Sequence, residues 1–167
     1  ATEWQGIHSI DESPNVFNPG VGWIQNTNNA PWSAAGPNSP KEKDYPAYFD
    51  RAGENPRGIH AIRVLEGRSG FTLDSLIAAA YDSYLTAFAD LLPPLLADYD
   101  RLPASSPLQA RLAEPVRLLR DWDLRWSTGS VPTSLAVFWA DTLLQRVAAA
   151  ATRARMSAAE YAASRAS

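Results

Sequence analysis

Apolar positions follow two different rules along this chain, and the change falls near residue 70. From Thr72 onward, Leu73, Leu76, Ile77, Ala80, Tyr84, Phe88 and Leu91 recur at steps of three and four. That period predicts one amphipathic helix, capped by Thr72, with Asp74 favourably placed in its first turn and an end before Pro93-Pro94. Leu95 to Tyr99 adds a further turn, and Pro103 to Pro107 reads as a linker. Leu108 to Asp121 predicts a second helix, interrupted or restarted at Pro115. Ser130 as a cap with Pro132 in the first turn opens a third, long helix running to Arg155, with Leu135, Phe138, Trp139, Leu143 and Val147 as its apolar stripe. Ser157-Ala158-Ala159-Glu160 has capping-box spacing and predicts a last short helix.

Before residue 71 the helical period is missing. Eight of the nine glycines and seven of the thirteen prolines lie there, which predicts turns, extended segments and short strands. Gly22 to Gln25 reads as a buried strand between a Pro-Gly turn and an Asn-rich exit. Gly58 to Leu65 fits a strand or a short helix, and the pattern leaves both open. The expected fold is mainly α: a loop- and strand-rich segment over residues 1–70, then a multi-helix lobe over 71–167.

Composition narrows the function. With 167 residues the chain can bury a core as one domain or as two small lobes. A net charge of -3 argues against a nucleic-acid or anionic-lipid footprint. There is no cysteine, hence no disulfide frame, thiolate site or Cys nucleophile. No apolar run approaches the roughly 20 residues that span a bilayer. Ala1-Thr2-Glu3-Trp4 lacks the basic and apolar regions of a signal peptide, and the start reads as the interior of a longer polypeptide.

The chemistry-bearing cluster is Gln25, Asn26, Asn28 and Asn29. An amide buried without a partner loses on the order of 1 to 3 kcal/mol, so these side chains need work to do. If residues 22–28 are extended, Asn26 and Asn28 share one face and Gln25 lies opposite. An amide N–H on that face suits an oxyanion, but on spacing alone asparagines beside Pro31 more readily brace turns. Elsewhere, His8 and His60 lack a second ligand at metal spacing, and no Gly-x-Ser-x-Gly elbow offers a serine to either. Trp122 and Trp126, among Arg120, Asp121, Asp123 and Arg125, read as packing residues of the helical lobe more readily than as a sugar platform. Arg146, Arg153, Arg155 and Arg165 read as a polar helix face.

The order Asn18-Pro19, Gly22-Trp23-Ile24, Asn26-Thr27-Asn28-Asn29 and Pro31 resembles the penicillin acylase family of N-terminal-nucleophile amidohydrolases. The resemblance is strongest over residues 13–65 and continues through Trp122-Asp123 and Ser130. It implies a piece of an αββα enzyme's large chain, with Asn28 as the side-chain half of an oxyanion hole. Arg57, in Glu54-Asn55-Pro56-Arg57-Gly58, matches the arginine that orients that asparagine, with Arg51 as the alternative; Trp23 and Trp32 are substrate-binding candidates. It further implies cleavage of N-acyl amides (β-lactams, acyl-homoserine lactones or lipopeptides) and a periplasmic or secreted location. The implied partners are the small chain and the nucleophile-bearing part of the large chain. No cofactor or metal is expected for this chain; family members often bind calcium, and the one oxygen donor matched here, Asp50, is not a site by itself. The family attacks with a chain-terminal residue, usually Ser; Ala1 has no hydroxyl, so this chain alone is expected to be inactive. A rival reading is a non-catalytic helical interaction or structural module.

Overall fold

The computed structural model describes residues 6–166, with side chains described through residue 164. The readings at Ala1 to Trp4 and of the Arg165 side chain lie outside the described residues. Among the described residues there are six α-helices, α1 (Pro56–Leu65), α2 (Leu73–Ala80), α3 (Thr86–Asp100), α4 (Pro107–Arg120), α5 (Val131–Ala154) and α6 (Ala158–Ala166), preceded by short 3-10 turns. The protein is mainly helical, as expected. It divides into two compact units, Ala1–Asp82 and Ser83–Ser167.

The first unit is built from turns. Residues 22–25 do not form the expected strand, and among the described residues the only bridge of β type is Tyr84 with Arg125. The reason is local. Gly22 N–H closes a turn onto the Pro19 carbonyl, Gln25 N–H reaches the Ala34 carbonyl at 2.8 Å, and the asparagines that follow divert the backbone into their own turns. Gly36, at φ 52°, leaves space beside the Trp23 ring, whose nearest atom would lie 3.5 Å from a Cβ built there. The open choice at Gly58 to Leu65 resolves as helix. Asn55 caps it by accepting from Arg57 N and Gly58 N, and Pro56 sits in the first turn where its missing N–H costs nothing.

The helix expected to run from Thr72 to Leu91 is two helices. Thr72 and Ser75 form a reciprocal cap for α2, but the chain leaves the helix after Ala80. Leu73, Ile77 and Tyr81 stay exposed. In the second unit, Leu85 N–H bonds the Leu124 carbonyl at 2.8 Å, and Trp126 N–H bonds the Ser83 carbonyl at 3.0 Å. This extended pairing interrupts a sequence period that runs straight through it.

Prolines were expected to end helices and do not. Pro93 and Pro94 lie inside α3, and Pro115 lies inside α4. Both prolines of α3 are exposed, while Leu92 between Leu91 and Pro93 is only 3% exposed. Burial on the inner face outweighs hydrogen bonds lost on the solvent face, where water can serve the orphaned carbonyls. The core joins Phe88 and Leu92 of α3, Leu119 of α4, Trp122, and Ala136 and Ala140 of α5. Trp122 meets Phe88 edge-on at 5.4 Å and donates its Nε1–H to the Arg125 carbonyl at 2.9 Å. Phe138 is 74% exposed and does not belong to the α5 core stripe; small alanines take the inner positions and let the helices approach. Ser130 caps α5 as expected, and Ser157 with Glu160 caps α6.

Candidate active site

Residues 26–29 form a compact corner stitched by side-chain amides. Asn26 Oδ1 accepts from Asn28 N at 3.0 Å, and Asn29 Oδ1 accepts from Thr27 N at 2.9 Å and Thr27 Oγ1 at 3.1 Å. The expected arrangement of Asn26 and Asn28 on one face of an extended segment does not occur. Asn26 and Asn29 brace turns, whereas Asn28 sits at their apex with φ 61°, a left-handed conformation that asparagine tolerates better than most residues. Gln25 is buried, donating Nε2–H to the Ser33 carbonyl at 3.3 Å, while its Oε1 meets no hydrogen-bond partner among the described residues.

Arg57 reaches this corner from the first turn of α1. Its Nη2 donates to the Thr27 carbonyl at 2.7 Å, and its Nη1 donates to Asn28 Oδ1 at 3.4 Å. Guanidinium has donors only, so the amide of Asn28 must turn its oxygen toward Arg57 and its Nδ2 away. Among the described residues nothing bonds Nδ2, and Asn28 is exposed. Arg51 serves a different network, donating to Glu42 at 2.8 Å and to the Tyr45 carbonyl at 3.3 Å.

The tryptophans flanking the corner hold loops. Trp32 donates to the Asp50 carbonyl at 2.9 Å and its ring lies 5.5 Å from Tyr45; Trp23 packs over Gly36. Asp50 Oδ1 accepts from Ala52 N at 2.8 Å, closing a turn of its own. One carboxylate so engaged does not fit the six to eight oxygens calcium takes, and no group of three or more His, Cys, Asp or Glu side chains converges among the described residues. His8 contacts the Tyr48 hydroxyl and lies 3.5 Å from Glu12; His60 lies 3.5 Å from Asp82.

Two residues that sequence reasoning passed over complete the corner. Glu54 accepts from Asn29 Nδ2 at 2.6 Å, from Ser33 Oγ, and from Asn55 N at 2.8 Å. Gly58 makes room for it, because a Cβ there would collide with the Glu54 carboxylate. Asn55 followed by Pro56 was the available signal: a cap and a first-turn proline place residues 54–58 at a helix start. The second unit has its own open depression of about 690 Å³, bordered by Trp122, Asp123, Arg125, Trp126 and Ser130. Trp122 there is core, as expected, but Trp126 is 52% exposed.

A side-chain amide whose oxygen faces a donor-only partner keeps its own N–H available to an acceptor from outside, and that is what the arrangement offers chemically. The penicillin amidase family profile matches residues 1–166, and the chain belongs to that family of acylase-like amidohydrolases, which cleave amide bonds.

Proposed function

We propose that Asn28 is the side-chain half of the oxyanion hole in an acylase that cleaves N-acyl amides, and that Arg57 orients it. The observation that carries this reading is the Arg57 contact to Asn28 Oδ1, which commits Nδ2 to face outward. The attacking group is a chain-terminal serine on another segment of the enzyme, and this chain alone is inactive. The serine Oγ bonds to the acyl carbon while its proton passes to the α-amine, whose ordinary pKa of about 7.7 to 8.0 suits a base near neutrality. Asn28 Nδ2 donates to the oxygen as it becomes negative. Collapse of the tetrahedral intermediate expels the amine, which takes the proton, and water then releases the acyl group.

This reading makes the present chain one wall of a split site within an αββα enzyme whose sheets come from other segments. The substrates are N-acyl compounds such as β-lactams, acyl-homoserine lactones or lipopeptides, with Trp23 and Trp32 lining the approach. A periplasmic or secreted location follows from the same resemblance. The test is kcat in the complete enzyme: replacing Asn28 should remove orders of magnitude with KM retained, and an unchanged kcat would overturn the assignment.

A further inference from the structure

We infer that Glu54 is a positioning residue for this reaction, acting on the oxyanion donor through Asn29. The inference rests on the reading of Asn28 given above. Asn28 touches Arg57 at 3.4 Å with a side chain and Asn26 through its backbone, so its placement depends on the corner that carries it. That corner is gripped from one place, the start of α1. Asn55 shares hydrogen bonds with Thr27, through Thr27 Oγ1 to Asn55 Oδ1 and through Asn55 Nδ2 to the Thr27 carbonyl, each at 3.4 Å. Arg57 adds the 2.7 Å bond to the same carbonyl.

Glu54 makes the tightest tie on the far side. One carboxylate oxygen takes Asn29 Nδ2 at 2.6 Å together with Ser33 Oγ, and the other takes Asn55 N at 2.8 Å. The acceptor therefore joins one residue of the corner, Asn29, to two beyond it, Ser33 and Asn55. Asn29 in turn fixes Thr27 through its own Oδ1. Charge-assisted bonds to a carboxylate are shorter and roughly twice as strong as neutral ones, so this residue dominates the corner's geometry. Gly58 belongs to the same device, because only a residue without a side chain lets the carboxylate lie against the first turn of α1.

The carboxylate touches no reacting atom in this scheme. Its loss lets the Asn28 amide drift, and a misplacement of about 1 Å costs as much as roughly 100-fold in rate.

The experiment is a double-mutant cycle in the complete, processed acylase, with kcat and KM measured per mature enzyme on an N-acyl amide that the wild type cleaves. Glu54→Ala should lower kcat by roughly 10- to 100-fold with KM nearly constant, and Glu54→Gln, which keeps one acceptor oxygen, should recover part of the loss. In the Asn28→Gly background, Glu54→Ala should add no further loss. Gly58→Ala supplies a second perturbation that displaces the carboxylate without removing it, and it should lower kcat in the wild-type background alone. If Glu54→Ala and Asn28→Gly multiply, or if Gly58→Ala leaves kcat unchanged, the positioning role is overturned while Asn28 stands. If Asn28→Gly itself leaves kcat intact, the underlying oxyanion reading has failed, and that result is distinct from the others.

Discussion

Replacing Asn28 is the sharpest perturbation available, but the residue's backbone dictates which replacement to use. Asn28 has φ 61°, so alanine would carry a left-handed penalty of about 1 to 2 kcal/mol that has nothing to do with catalysis. Glycine populates that region freely and removes the amide alone. What the fold loses in Asn28→Gly is an exposed contact to Arg57 at 3.4 Å, at the weak end of hydrogen-bond geometry; a change below about 0.5 kcal/mol in stability is expected. What the reaction loses is one oxyanion donor, worth about 10²- to 10³-fold in kcat. Because that bond strengthens only as the oxygen becomes negative, KM should stay near the wild-type value. Asn28→Asp is the complementary variant. It keeps the shape and strengthens the pairing with Arg57, yet presents an acceptor where a donor is needed, so kcat should fall at least as far. Steady-state kinetics with thermal unfolding on the same preparations decides the matter. A glycine variant with kcat within about threefold of wild type would refute the assignment, since the margin expected for one donor is far larger.

Other perturbations separate the site from its scaffold. Arg57→Lys should lower kcat by roughly tenfold, since a single ammonium cannot serve both the Thr27 carbonyl and Asn28 Oδ1 as the guanidinium fork does; equal kcat in the two enzymes would remove Arg57 from the site. Leu92→Ala, at a position 3% exposed in the helical core, should cost about 2 to 5 kcal/mol in denaturant unfolding while leaving the kcat of the folded enzyme intact. Glu160 accepts from Ser157 N at 2.8 Å, and that bond holds its carboxyl below the usual glutamate pKa. A depressed pKa in the folded state means the cap contributes above the ordinary value of about 4.3 and is lost as pH falls through the lower, folded-state value. Protection of the α6 amides, taken relative to their intrinsic exchange rates at each pH, should therefore fall on acidification through that window, and Glu160→Gln should flatten the response.

Much of the helical unit was legible in the chain because its signals are local. Ser130 with Pro132, Thr72 with Asp74, and Ser157 with Glu160 each mark a start that the structure keeps. Interior features depended on contacts that periodicity does not carry. The apolar steps from Leu73 to Leu91 are regular, yet Leu85 pairs with Leu124, far along the chain, and the helix breaks there. Pro93, Pro94 and Pro115 read as stops, but burial of Leu92, Val116 and Leu119 overrides that preference. Ala136 and Ala140 lie deeper than Phe138, which hydrophobicity ranks above them. At the candidate site the residue types were readable and the geometry was not. An extended segment put Asn26 and Asn28 on one face, whereas asparagine's bonding to its own backbone turned the segment into a corner. Glu54 carried no signal of its own, because a glutamate before an Asn-Pro cap is unremarkable until Asn29 and Ser33 are seen to converge on it.

The two units are also held together internally by different forces, and this bears on how the site should fail. Among the described residues of the first unit, the buried apolar side chains are small, Ala30, Ala34, Ala35, Pro40 and Ala79, whereas the second unit buries Phe88, Leu92, Leu119 and Trp122. Alanine burial contributes little per residue, so the corner at 26–29 is fixed mainly by its hydrogen bonds. Such networks are cooperative: each partner removed leaves the others less well placed and its own acceptor or donor unsatisfied. Substitutions at Asn29, Ser33, Glu54 and Asn55 should accordingly be strongly non-additive, with the first removal costing most of the kcat and the second little. Cavities cut into the helical core of the second unit should instead lower unfolding free energy while leaving this kcat pattern unchanged. Additive losses within the polar set would mean that Asn28 is placed by something other than this network.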